Sequence, residues 1–251
     1  QGLMAVDDED IDAQERCGPA QGYSGRFRDD LSGQVLKDEL VVEARAKEMA
    51  YFQQKGVWQK KPRAEAKRVT GKGAVSVRWV DTNKGDDIMP KYRSRLVARQ
   101  IKALDKSGDT FFAPMPPLEA VRTVLSLAAT TVGKHVPVHD PESEERTQLS
   151  FVDVSRAYFN AKTDPADPCY VQLLPEDPDA EHMCALLMRH MYGTRRAADG
   201  WQEEYSTMMV QELGFVQGSS CPNTFCHEQR ALTCTVDGDD FTTCGPKPQL
   251  D

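Results

Sequence analysis

Phe151-Val-Asp-Val-Ser-Arg-Ala-Tyr-Phe-Asn-Ala161 places a carboxylate, Asp153, in a run that otherwise reads as a β-strand. Leu149, Phe151 and Val152 are apolar and β-prone, and the run breaks at Ser155-Arg156. A carboxylate buried in a strand costs several kcal/mol unless it is paired or binds a metal. Further on, Val236-Asp-Gly-Asp-Asp-Phe241 sets Asp239 and Asp240 at a Gly-containing turn. Short β-prone runs, Leu232–Val236 and Phe241–Thr243, flank that turn and predict a hairpin. Folded side by side, the two pieces bring three carboxylates to one edge of a sheet. Hard oxygen ligands suit magnesium, and a pair of magnesium ions suits phosphoryl or nucleotidyl transfer. Taken alone, each piece is an ordinary strand end or solvated turn.

The chain has 251 residues, enough for one or two domains with a real core. It opens on Gln1, which reads as a fragment or a processed piece. No apolar run approaches membrane-spanning length and no charged-then-apolar leader precedes the first elements, so the expectation is a non-membrane, non-secreted protein. The seven cysteines are odd in number and scattered, and read as reduced intracellular thiols. Cys221, Cys226 and His227 fit no zinc spacing and read as packing residues. Net charge is −8, the wrong sign for a simple nucleic-acid binder. Its distribution is uneven: between Lys55 and Lys102 fourteen Lys/Arg face four Asp/Glu, a balance of +10 that leaves −18 for the remainder. Such a block suits phosphates, although a solvated basic surface is the commoner outcome.

Residues 1–34 are acidic and aperiodic and read as a disordered lead-in. Leu36–Gln54 has helical spacing. Val75–Asp81 and Pro90–Arg99 predict a hairpin with Asn83-Lys-Gly85 at its tip. Alternation puts Lys91, Arg93 and Arg95 on one face, either for a triphosphate or template backbone or as a charged sheet edge. Leu118, Val121, Leu125 and Ala128 predict the apolar stripe of a helix, and 133–148 reads as a surface insertion. Tyr170-Val-Gln-Leu and part of Met183–Tyr192 read as strands. Asp199–Leu213 predicts a helix opened by a capping box of Asp199 with Gln202 and ended at Gly214, burying Trp201, Tyr205, Met208 and Met209.

Over roughly residues 38–245 the sequence resembles the reverse transcriptase domain of copia-type retrotransposons. Val152-Asp-Val-Ser-Arg-Ala-Tyr-Phe-Asn-Ala161 occupies the place of the family's Leu-Asp-Val-Lys-Thr-Ala-Phe-Leu-Asn-Gly, and Asp237-Gly-Asp-Asp240 that of its Tyr-Val-Asp-Asp. Tyr92-Arg-Ser-Arg-Leu-Val-Ala-Arg99 matches Tyr-Lys-Ala-Arg-Leu-Val-Ala-Lys, and Phe112-Ala-Pro-Met-Pro-Pro-Leu-Glu-Ala-Val-Arg122 matches Phe-Ala-Pro-Val-Ala-Arg-Leu-Glu-Thr-Ile-Arg. Met191-Tyr-Gly-Thr-Arg-Arg-Ala-Ala-Asp-Gly-Trp201 stands where the family has Leu-Tyr-Gly-Leu-Lys-Gln-Ala-Pro-Arg-Ala-Trp. The chain departs from these patterns at Pro117, Arg196, Ala198, Asp199 and, beside the paired carboxylates, Asp237.

The resemblance implies an α+β fold with fingers over 35–117, a palm with an antiparallel sheet over 118–245, and a tail at 246–251 in which no thumb is built. It implies two-metal nucleotidyl transfer with two Mg2+ ions: Asp153 and Asp239 as bridging ligands, Asp240 as the third carboxylate, and the Val154 carbonyl completing the shell. It implies nucleotide contacts by Arg93 and Arg95, nucleic-acid contacts by Lys91 and Arg99, and a ring at Tyr158 beneath the sugar that favours deoxynucleotides. The implied partners are an RNA or DNA template-primer, deoxynucleoside triphosphates and the rest of a Pol polyprotein, thumb and RNase H included, in a cytoplasmic particle or the nucleus. Without a thumb, this chain alone is expected to extend a primer poorly or not at all. Two rivals remain at this point. One is a decayed, non-catalytic copy that keeps nucleic-acid binding. The other is a magnesium-dependent phosphohydrolase, which ordinarily shows Asp-x-Asp where this chain has Asp153-Val-Ser155.

Overall fold

The computed structural model describes residues 25–100, 115–129 and 147–250. The acidic run Asp7–Asp10, the Phe112-Ala-Pro start of the loop motif and nearly all of the 133–148 insertion lie outside the described residues. Helix α1 spans Asp38–Lys55, with Asp38 and Glu39 in its first turn and Lys55 in its last, matching charge to the helix dipole. Gly56, at φ 59°, ends it. Strand β1 (Trp58–Pro62) and helix α2 (Arg63–Thr70) follow, then β2 (Val77–Asn83) and β3 (Tyr92–Ala98). Next come α3 (Leu118–Ala129), β4 (Thr147–Asp153), a 3-10 turn at Ala157–Asn160, β5 (Tyr170–Gln172) and β6 (Met183–Leu187). Helix α4 (Ala197–Thr207) runs into a π-helical turn at Met208–Glu212. The chain continues through β7 (Val216–Gln217), β8 (Thr224–His227), β9 (Leu232–Asp237), β10 (Asp240–Pro246) and α5 (Lys247–Leu250).

The strands form sheets in the orders β1-β6-β5, β4-β10-β9-β8-β7 and β2-β3. The strands of the first two sheets pair antiparallel among the described residues, so the fold is a mixed α and β one with antiparallel sheets. The chain divides into two compact units, Gln1–Glu48 with Val80–Arg95 and Met49–Trp79 with Leu96–Asp251.

In the first unit, Phe27, Leu36 and Val41 make a small apolar cluster against Tyr92. Asp81 is buried beside it and fully partnered. Its carboxylate accepts from Arg45 Nε (3.1 Å), Arg45 Nη2 (2.5 Å) and Ser94 Oγ (2.6 Å). The loop of the β2–β3 hairpin is closed by Asn83 Oδ1, which accepts from the Gly85 and Lys91 amides at 3.1 and 2.8 Å.

The second unit has two apolar clusters. Phe52, Val57, Leu96, Phe159, Val171, Leu187 and Met191 form one, with the rings of Phe52 and Phe159 edge to face at 4.6 Å. Gly193 closes its rim at φ 80°, where a Cβ would come within 1.9 Å of the Ala98 carbonyl oxygen. Only glycine fits there. The other cluster packs Trp201, Tyr205 and Met209 of the α4 segment against Phe225, Cys234, Val236 and Phe241 of the five-stranded sheet.

Several sequence expectations are corrected. α4 begins at Ala197, two residues before the expected capping box, and its N-cap, Arg196, makes no side-chain cap. Met208 is partly exposed at 36%, and Met209 takes the buried position. On α3 the buried residue is Val124, while Leu118 and Leu125 are exposed. Cys184, Cys234 and Cys244 are packed inside, but Cys226 is exposed.

Phe159 is fully buried and touches three aromatic rings. Phe159→Ala should therefore lower unfolding free energy by about 3–5 kcal/mol in urea denaturation. Ile88→Ala, at a side chain 90% exposed, should stay within about 0.5 kcal/mol of the parent.

Candidate functional site

Among the described residues strand β4 is an edge strand paired on one side with β10, and its last residue, Asp153, lies directly opposite Asp240, the first residue of β10. Asp240 in turn lies opposite Asp237, the last residue of β9. Three aspartates thus stand in one row across three strands, and residues directly opposite share a face of the sheet. Gly238 and Asp239 form the two-residue loop between β9 and β10. Gly238 has φ 64°, the left-handed position that a tight hairpin turn requires and glycine supplies.

The loop is tied down at both residues. The Trp201 indole Nε1 donates to the Gly238 carbonyl at 2.8 Å. The Val154 amide donates to the Asp239 carbonyl at 2.9 Å. No helix or strand intervenes between Asp153 and the hairpin tip. On the opposite face, Phe241 and Val236 pack with half-buried Val154 under Trp201, so the apolar cluster sets the height of the carboxylate row.

Asp153, Asp237 and Asp240 are exposed and Asp239 is half-buried. Burial and mutual repulsion both act on the row. Partial burial, then the charges of Asp239, Asp153 and Asp237, hold the Asp240 carboxyl above its ordinary range. A concentration of negative charge on hard oxygen donors matches in type what a divalent magnesium ion takes. Among the described residues, no three His, Cys, Asp or Glu side chains are gathered closely enough to hold a metal ion. The backbone register is therefore in place, while the side chains are not drawn into a ligand set.

Tyr158 follows on the 3-10 turn. It is half-buried, with its ring edge to face with Tyr192 at 4.9 Å. Before it, Arg156 takes a left-handed φ of 53° and lays its guanidinium over the Tyr51 ring at 4.4 Å. Lys91, just before β3, and Arg93 are exposed and Arg95 is half-buried; within β3, Arg93 and Arg95 alternate with buried Ser94 and Leu96. These three belong to the first unit and the aspartate row to the second. Arg99 is exposed in the second unit, its Nε donating to Ser76 Oγ at 3.1 Å. Part of the basic block is neutralised locally: Lys60 Nζ sits 2.6 Å from Asp177 and 2.8 Å from Asp179.

Sequence reasoning missed the Trp201–Gly238 tie and the place of Asp237 in the row. Trp201 was visible in the sequence as a core residue, but spacing does not say which carbonyl an indole will reach.

Residues 66–247 match the family described as reverse transcriptase (RNA-dependent DNA polymerase). A curated relative, the retrovirus-related Pol polyprotein from transposon TNT 1-94 of Nicotiana tabacum, is 26% identical over 199 residues. The similarity covers 73% of this chain and 13% of that protein, so the chain spans a small part of its relative's length.

The electrostatics make a testable statement about stability. Because the folded state raises the Asp240 pKa, it holds the proton more tightly than the unfolded chain does. Asp240 thus weakens the fold increasingly as pH rises through that window. Asp240→Asn should be more resistant to urea than the parent at pH 7, and the advantage should shrink as pH falls toward the ordinary carboxylate value of about 3.9.

Proposed function

Because the chain belongs to the reverse transcriptase (RNA-dependent DNA polymerase) family, in its copia-type branch, we propose that its second unit carries the catalytic centre of an RNA-directed DNA polymerase built on Asp153, Asp239 and Asp240. The observation that carries this reading is the register of β4 with β10, which sets Asp153 opposite Asp240, one residue from Asp239. Reverse transcriptase domains generally use divalent metals. The three carboxylates are the residues that would hold magnesium here, with the Val154 carbonyl as a further oxygen donor. Bound there, the ions would neutralise charge developing on the transferring phosphoryl group. The chain's own task is positional. A strand end and a tight turn, each held by a backbone hydrogen bond, keep the carboxylates on one rigid edge, where alignment of primer hydroxyl and α-phosphate supplies much of the rate.

In this reading the unit that includes Tyr92–Arg95 belongs to the fingers and the five-stranded sheet to the palm. Arg93 and Arg95 take the triphosphate of the incoming nucleotide, and Lys91 and Arg99 take template-primer phosphates. Tyr158, half-buried beside the carboxylate strand, lies beneath the sugar and disfavours a ribose 2′-hydroxyl. The supports are the family match, the +10 balance over Lys55–Lys102 and the outward alternation of β3. One observation favours the non-catalytic reading: Asp237 adds a carboxylate to the row that the family motif fills with tyrosine, which deepens the repulsion at Asp240.

Addition of single deoxynucleotides to a DNA primer on an RNA template, with magnesium, separates the two. The catalytic reading expects extension that falls about a hundredfold or more in Asp239→Asn, with template-primer affinity unchanged. Extension that survives Asp239→Asn, or template-primer binding with no extension under any divalent ion even when a thumb from a related element is joined to the chain, contradicts it. Binding itself should weaken steeply with salt, and replacing Lys91 and Arg99 with Ala should flatten the dependence of log K on log[salt] by about 1–2 in slope.

A further inference from the structure

Three cations of the second unit meet where the end of α1 reaches the 3-10 turn at Ala157–Asn160. Lys55 Nζ donates to Asn160 Oδ1 at 2.9 Å and stands 5.8 Å from the centre of the Tyr51 ring. The Arg156 guanidinium lies over that same ring at 4.4 Å, so the two charges are within about 10 Å of each other, one Debye length. Arg189 Nε donates to the Lys55 carbonyl at 3.0 Å, and Nη1 to the Phe159 and Asn160 carbonyls at 3.2 and 2.9 Å. All three residues are half-buried.

Like charges this close repel, and partial burial adds to the cost. Elsewhere the chain answers its cations with acids: half-buried Arg45 with Asp81, and the more exposed Lys60 and Arg196 with Asp177 and Asp167. Here the answer differs. Among the described residues, Lys55 and Arg189 meet only neutral amide and carbonyl oxygens, and neither forms an ion pair. The C-terminal end of α1 supplies about half a negative charge, which leaves most of the positive charge unbalanced. The backbone adds an independent sign. Arg156 has a φ of 53°, a left-handed conformation uncommon for residues other than glycine. Strain of this kind persists where the surrounding structure holds it, and it gathers at ligand clamps and active sites. What it places here is a guanidinium beside Lys55. The copia motif quoted above has lysine at the position of Ser155 and threonine at that of Arg156, so in this chain the cation comes one residue later.

From this unbalanced cluster we propose that Lys55 and Arg156, backed by Arg189, bind a phosphate group. Arg189 fixes the frame through its three carbonyls. Lys55 keeps two further N–H donors, and Arg156 brings the planar fork that suits phosphate oxygens. Arg156 is three residues from Asp153, at most about 11 Å of chain, so a phosphate held here belongs to a nucleotide or a nucleic-acid strand that also reaches the aspartate edge. The site stands on the charges of this cluster and does not need the catalytic reading.

The test is calorimetric titration of the 251-residue chain with sodium pyrophosphate in metal-free buffer, beside NMR of the arginine Nε–H signals. The expected result is one saturable site, a shift of the Arg156 signal on binding, and affinity reduced about tenfold or more in Lys55→Gln and in Arg156→Gly. Glycine adopts the left-handed backbone freely, so Arg156→Gly removes the charge and keeps the turn. Lys67→Gln, at an exposed lysine of α2, should leave affinity unchanged. Competition by a deoxynucleoside triphosphate but not by short single-stranded DNA identifies a nucleotide phosphate, and competition by both identifies a strand phosphate; either supports the site. Competition by neither, absence of saturable binding, a silent Arg156 signal, full affinity in both cluster variants, or an equal loss in Lys67→Gln would each overturn it. Primer extension enters none of these readouts. A chain that binds pyrophosphate here yet extends no primer would count against the catalytic reading alone.

Discussion

The pairing of β10 with β4 is the constraint on which the rest of the second unit depends. It is a pairing between segments far apart in sequence, and its register decides which side chains meet. A slip of one residue would turn Asp240 to the opposite face from Asp153 and drive Phe241 out of the cluster under Trp201. The register is held from both sides of the sheet. Beneath it, Phe241 and Val236 pack on Trp201 and Tyr205. At its end, Val154 and Trp201 each donate one hydrogen bond to the two-residue loop. Apolar packing therefore opposes the repulsion among Asp153, Asp237 and Asp240, as expected where a site's requirements work against local stability.

Helix α4 connects this edge with a second polar feature. Its buried aromatic face supports the hairpin, and its exposed face, with Gly200 making room for His190, forms one side of an acidic cleft. Its passage into a π-helical turn at Met208–Glu212 keeps Met209 in the cluster and leaves Glu212 on the cleft. π-Helical turns inside α-helices are frequent at functional sites.

Much of the site was legible in the residues. Asp153 at the end of a β-prone run and Asp239-Asp240 at a Gly turn point to their elements because turn chemistry and strand propensity are local. Other features were hidden because tertiary pairing decides them. Gln59-Lys60-Lys61 has no strand alternation, yet β1 forms against the buried Cys184, Ala185 and Leu187 of β6. The two-residue β7 is too short to carry a period. The start of α4 was misplaced because Asp199 and Gln202 imitate a capping box, while the helix nucleates earlier, on the turn in which the Ala197 amide donates to the Thr194 carbonyl at 3.3 Å. The membership of Asp237 in the carboxylate row is a property of register, which single-strand patterns do not encode.

The central claim is that the strand end and the hairpin tip together form one divalent-ion site. Anomalous diffraction from crystals of the chain grown with manganese tests it directly. The account predicts a manganese peak coordinated by Asp153 and at least one of Asp239 and Asp240, absent in Asp239→Asn. Manganese bound elsewhere with that edge empty, or a peak there that persists without Asp239, would contradict it.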